Sequence, residues 1–286
     1  MRYTETTNQK AGSAGFTFTE LMVVIALLAI LTLVLAPAFA ASRPNTQIVQ
    51  CMDGKRQLTL AWQMYASDNS DELVSYPTWI TGTMSWSKSS QNTNIDLLTN
   101  PTNALIAPYN SSAAVFKCPA DFYQNANTPT PRVRSVSMDA ALGSGGSGPT
   151  VDGTYPGNRQ YYGSGYPLNR NATRMTDLHL ASAVFVMLDE HADSINDGVF
   201  FLDPGDQPNG EAWRDLPAAY HDGACGISFA DGHVEMHFWQ EKSGTKTTIY
   251  PVLMNNYGQS SSSPWGNHSM FASRDYEWLE NHMPYN

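Results

Sequence analysis

The chain has 286 residues, a formal net charge of −10 at neutral pH and 42% hydrophobic residues. An acidic surface without a basic stripe excludes nucleic acid as a partner. With 7 tryptophans and 14 tyrosines the chain can bury a substantial core, while 17 prolines and 21 glycines predict that much of it is loop.

The N-terminal stretch is the most informative. A polar leader carrying Arg2 and Lys10 precedes Gly15, and from Phe16 to Ala36 the only strongly polar side chain is Glu20. At about 1.5 Å per residue such a helix spans roughly 30 Å, the thickness of a bilayer's hydrocarbon core. A carboxylate inside it costs about 3 kcal/mol, so it needs a purpose. Cutting after Gly15 makes Phe16 the new terminus, with a cationic amine four residues before Glu20. Helices packed side by side then pair each Glu20 with a neighbour's amine, and charge neutralisation favours assembly. The alternative is an acid resting at the headgroup level. Losing the leader removes two basic residues and one acid, which takes the net charge to −11.

The run Gly15-Phe16-Thr17-Phe18-Thr19-Glu20-Leu21-Met22-Val23-Val24-Ile25 resembles the class III signal of type IV pilins and type II secretion pseudopilins. The resemblance implies that a prepilin peptidase cuts after Gly15 and that the new terminal Phe16 is methylated. It also implies that Glu20 guides subunit registration. Pro37 falls where many members of that family carry a proline. An ordinary secretory signal fits less well because the apolar run exceeds the usual length, although 38–41 offers small residues for signal peptidase.

Beyond Ala36, Pro37 and Pro44 predict a kinked or unwound segment over 37–44. Helical periodicity resumes at Asn45. Ile48, Cys51, Leu58, Trp62 and Tyr65 form one apolar stripe, and Lys55 on that stripe is expected to snorkel. The helix should end at 67–70. Trp79, Trp86 and Phe116 are expected in the core, and 143–148 reads as a flexible glycine–serine loop. Tyr155, Tyr161, Tyr162 and Tyr166 follow among glycines, as irregular aromatic packing or as a carbohydrate or protein contact. Residues 181–188 read as a buried strand. Asp231-Gly232 between 226–230 and 233–239 reads as a hairpin, with Val234, Met236 and Phe238 on the buried face of its second strand. Residues 275–282 should form a short helix.

Cys51 lies on the stalk helix and Cys118 in 116–121, a segment expected to pack on it. A Cys51–Cys118 disulfide with Cys225 reduced is therefore expected, three buried thiols being the alternative. No Cys-x-x-Cys spacing marks a redox or zinc site. His221, Asp231, His233, Asp189 and Glu190 could converge at strand ends for acid–base work, but HExxH, GxSxG and phosphate-loop motifs are missing. A membrane-anchored hydrolase is thus a minor reading, and the chain is expected not to be an enzyme. Asp189, Glu190 and Asp231 are the candidate ligands of a structural Ca²⁺. For His221 and Asp231, a mutual hydrogen bond locking the hairpin at Gly232 is expected.

His221 followed after nine residues by Asp231-Gly232 resembles the H-x9-DG element of prepilin-processing-associated proteins, pseudopilin-like chains of planctomycetes and verrucomicrobia. Cys51 with Arg56-Gln57-Leu58, the 116–121 segment, Asp189-Glu190-His191 and 275–279 are similar to that group as well. The resemblance implies an α+β, pilin-like fold: a long N-terminal helix packed on an antiparallel sheet with long loops. Some similar heads bind calcium. The implied organisation is a leader over 1–15, a transmembrane and filament-core segment over 16–44, and an extracytoplasmic head over 45–286. The implied role is a structural pseudopilin in a bacterial inner membrane, with prepilin peptidase and other pseudopilin subunits as partners. A filament-tip module that binds polysaccharide or a secreted protein is the alternative.

Overall fold

The computed structural model describes residues 1, 17–76, 78–124, 131–143, 172–202, 213–255, 265 and 270–284. Gly15, Phe16 and the tyrosines of 155–166 lie outside these residues, as does all of the expected 143–148 loop except Gly143. The chain divides into two compact units, Met1–Asn45 and Thr46–Asn286. Helix α1 (Phe18–Asp68) begins in the first and ends in the second, and it is continuous through Pro37 and Pro44. The unwinding expected over 37–44 is therefore absent.

In the first unit every described side chain from Thr17 to Leu31 is exposed. A helix that is apolar all round has no face of its own to bury. Among the described residues no helix is long and apolar enough to cross a membrane; the side chains described there end at Leu31.

The second unit is built on a five-stranded sheet in the order β3-β1-β2-β4-β5. Its strands are β1 (Val136–Asp139), β2 (Phe185–Asp189), β3 (Val199–Phe200), β4 (Ala224–Phe229) and β5 (Val234–Phe238). The remaining helices are α2 (Asp96–Thr99) and α3 (Arg274–Glu280), the latter capped by Ser273 Oγ accepting from the Tyr276 N–H. The sheet is mixed rather than antiparallel as expected, because β3 pairs parallel to β1. The chain turns back after β2 and passes to the far side of β1, so β3 runs with β1 rather than against it.

The sheet is covered on both faces, which is why β1, β2 and β4 are buried at every position. On one face, Leu58, Trp62 and Ala66 of α1 pack with Val136, Met138 and Val186. On the other, Phe185, Leu188 and Ile227 pack with Trp213, Trp239 and Tyr276. A register shift between Phe185 and Met187 puts the adjacent Val186 and Met187 in the first cluster, while Phe185 and Leu188 stay in the second. Gly54 admits the turn at Ala113–Phe116, where a Cβ would stand 3.1 Å from the Val115 carbonyl oxygen.

Three expectations change in detail. The strand read over 181–188 begins only at Phe185, after a 3-10 turn at Ala181–Ala183. The alternation expected in β5 does not hold, since Phe238 is 57% exposed while Trp239 is buried. As an edge strand β5 lacks full cover, and Trp239 is drawn inward by donating Nε1–H to the Ala218 carbonyl at 2.8 Å. Lys55 does not snorkel; it is fully buried.

Asp139 ends β1 with its carboxyl fully buried. Oδ1 accepts the Ala141 N–H at 2.9 Å, and among the described residues Oδ2 has no partner. Burial raises its pKa to about 8, against the pull of that N–H. The folded chain keeps a proton that the unfolded chain releases above about pH 4, so stability falls as pH rises from about 4 to about 8. Asp139→Asn retains the acceptor and removes the titration. Urea midpoints should then diverge in the variant's favour as pH climbs through that window, and parallel curves would show that Asp139 does not carry this proton.

Candidate functional site

Two places concentrate unusual polar groups, one in each unit. At the start of α1, Glu20 Oε2 accepts the Thr17 N–H at 2.8 Å and the Thr17 hydroxyl at 2.7 Å. The Glu20 N–H returns to Thr17 Oγ1 at 3.3 Å. This is a capping box, Thr-x-x-Glu, satisfying donors that the first helical turn leaves open. Both bonds to the carboxylate fall on Oε2, and among the described residues Oε1 has no partner. The Glu20 carboxylate also sits at the positive end of the helix dipole.

The second place is buried between α1 and the sheet. Lys55 Nζ lies 2.7 Å from Asp189 Oδ2, with both side chains 1% exposed. Burial is the largest influence and pulls the ammonium pKa down, but the Asp189 charge and hydrogen bond together with Cys51 and Cys118 outweigh it and hold Lys55 above its ordinary value. Ser135 donates its hydroxyl to Asp189 Oδ1 at 2.9 Å and accepts the Cys118 N–H at 2.7 Å. Cys51, one turn before Lys55, donates its thiol to Asp189 Oδ2 at 3.1 Å. The Cys51 thiol is held far above its ordinary pKa, first by its hydrogen bond with Cys118 and then by burial and the Asp189 charge. His221 Nε2 lies 3.2 Å from Cys118 Sγ. The ligand atoms of Cys51, Cys118 and His221 all fall within 4.8 Å of one another. Gly226 on β4 makes room, for a Cβ there would meet Cys51 Sγ at 3.0 Å.

This geometry corrects four expectations. Cys51 and Cys118 are brought together, but as free thiols rather than as a disulfide; Cys225 is also free and buried. Asp189, Glu190 and Asp231 do not form one ligand set. Asp189 faces Lys55, whereas Glu190, its neighbour in sequence, accepts the Ser137 and Ser194 hydroxyls at 2.6 Å each. Burial raises Glu190 to about 8, the two hydroxyls opposing that shift. Asp231 is exposed at the hairpin tip, where its Oδ1 lies 2.6 Å from His233 Nδ1. The expected His221–Asp231 hydrogen bond is also absent. The two residues flank the six-residue strand β4, whose length of about 20 Å separates them. The hydrolase grouping of His221, Asp231 and Asp189 falls for the same reason.

The hairpin itself is formed. β4 and β5 pair antiparallel, and Gly232 takes a φ of 95° in the turn. Gln63 of α1 donates to the Ala230 carbonyl at 2.9 Å and ties the tip to the helix. Farther along the acidic stretch, Asp193 accepts the Trp86 indole N–H at 2.7 Å and the Leu253 N–H at 2.6 Å, which uses it as a fastener between loops.

The Cys51–Cys118–His221 grouping had only partial signals in the sequence. Its members come from a helix, a loop and the turn before β4, so no short spacing announces them.

Residues 10–36 match the prokaryotic N-terminal methylation motif. This is the N-terminal motif of prepilin-type precursors and covers the leader's end and the apolar run. No curated protein and no solved structure matches the chain.

The Lys55–Asp189 pair can be tested directly. Lys55→Met leaves a buried carboxylate without its cation and should cost about 3–5 kcal/mol. Lys55→Met combined with Asp189→Asn should cost clearly less than the two single changes together, read by urea unfolding of the detergent-solubilised protein. Strict additivity would mean that the pair is not coupled.

Proposed function

We propose that this chain is a structural pseudopilin, the subunit of a type II secretion or type IV pilus-like filament. The observation that carries the reading is the N-terminal methylation motif lying on the start of a helix whose described side chains over 17–31 are exposed on every side. Such a surface demands an apolar environment. Lipid supplies it before assembly, and the same helices of other subunits supply it afterwards.

In this reading a prepilin peptidase cuts after Gly15, and the amine of Phe16 is methylated. The subunit waits in the inner membrane with residues 45–286 on the outer side as the head. Glu20 then selects the register. Its Oε2 remains in the capping box with Thr17, while Oε1 accepts the terminal ammonium of an adjacent copy. An ion pair between subunits removes two charges from an apolar filament core, and a shift along the helix would leave both uncompensated. Registration follows from that penalty. The head's buried polar groups take no chemical part in assembly, and the chain acts as a building element rather than an enzyme.

Mass spectrometry of the native N-terminus is the primary test. A chain starting at methylated Phe16 is expected; a start near Ala41 or Ser42 would assign it to ordinary export. Glu20→Ala should insert into the membrane at the wild-type level yet be lost from sheared filaments by about tenfold or more, the equivalent of about 1.4 kcal/mol or more per contact. Wild-type incorporation of that variant would remove the role of the acid in registration.

A further inference from the structure

We propose that Cys51, Cys118 and His221 form a zinc site that locks the C-terminal half of α1 to the sheet. Their ligand atoms already lie within 4.8 Å of one another, and all three residues are buried. Tetrahedral zinc, with Zn–S of about 2.3 Å and Zn–N of about 2.0–2.1 Å, sets ligand-to-ligand edges of about 3.6–3.8 Å. Cys118 Sγ to His221 Nε2 is 3.2 Å, and the three ligand atoms lie no more than 4.8 Å apart. Side-chain adjustments of about 1 Å along those edges therefore admit the ion.

The donor set decides which metal. Two sulfurs and an imidazole nitrogen suit a borderline-soft cation and not calcium, which takes oxygen ligands. Charge decides whether a buried site can hold it. Two thiolates cancel the two positive charges of zinc, the imidazole is neutral, and the Asp189 carboxylate is already balanced by Lys55 at 2.7 Å. The filled site carries no net charge, so it avoids the penalty of an uncompensated ion in the interior. Lys55 Nζ, 3.9 Å from Cys51 Sγ, supports that thiolate from outside the ligand shell. Ser135 holds Asp189 through its hydroxyl and, through its bond from the Cys118 N–H, positions the loop that carries the second sulfur. Gly226 keeps the space beside Cys51 Sγ open.

The site joins a helix, a loop and a strand end far apart in sequence, so its filling should make the head more resistant to unfolding. This proposal does not depend on the pseudopilin reading, since it concerns the head alone.

The test uses the full-length chain purified in detergent from zinc-supplemented cells, with metal content measured by inductively coupled plasma mass spectrometry. About one zinc per chain is expected, with loss in Cys118→Ser and in His221→Ala and retention in His233→Ala, whose histidine sits on the exposed hairpin. If the loss variants do not fold, cobalt(II) added to metal-stripped wild-type protein provides the second measurement. Tetrahedral d–d absorption together with thiolate-to-cobalt charge transfer is expected. Absence of both metal and cobalt colour overturns the proposal. So does a Cys51–Cys118 disulfide in non-reducing peptide maps of the native protein, or zinc retained equally in Cys118→Ser and His221→Ala.

Discussion

The head depends on a buried ion pair. Lys55 reaches from the middle of α1 to Asp189 at the end of β2, and neither charge has access to solvent. Burying two charges is expensive, and only close geometry with further hydrogen bonds repays it. Ser135 and Cys51 supply those bonds on the carboxylate side. The pair consequently fixes which face of α1 meets the sheet and at what height. Cys51, one turn away, and Gly226, beneath it on β4, take their places from that contact.

The chain places acids in three contrasting environments. Glu20 is exposed and held by a capping box, and among the described residues its Oε1 has no partner. Asp189 is sealed and fully committed within its own chain. Asp231 serves only the hairpin turn beside His233. Carboxylates that look alike in sequence thus divide into one that caps a helix start, one that holds a core together and one that shapes a loop. What separates them is the cover around each, since the worth of a charge contact rises as water is excluded.

The single helix α1 also meets two different needs. Over 17–31 its side chains find no cover within the described chain, whereas Leu58, Ala61 and Trp62 are buried completely against the sheet. A continuous hydrophobic run produces the first condition and a 3.6-residue stripe the second. The second unit therefore completes its own core, while the helix start finds no cover among the described residues.

Local signals were enough for the elements that local chemistry controls. The apolar run with its lone acid, the stalk stripe, the Asp-Gly hairpin and the terminal helix were all legible, because periodicity and turn residues act over a few positions. The approach of Cys118 to Cys51 was also legible, though not its chemical state. Tertiary structure alone decided that Lys55 turns inward to Asp189, that His221 joins the cysteines instead of Asp231, and that β3 makes the sheet mixed. Each of these pairs residues more than fifty positions apart, where the choice of partner rests on how whole layers stack and on the cost of leaving a buried charge alone. No window along the chain contains that information.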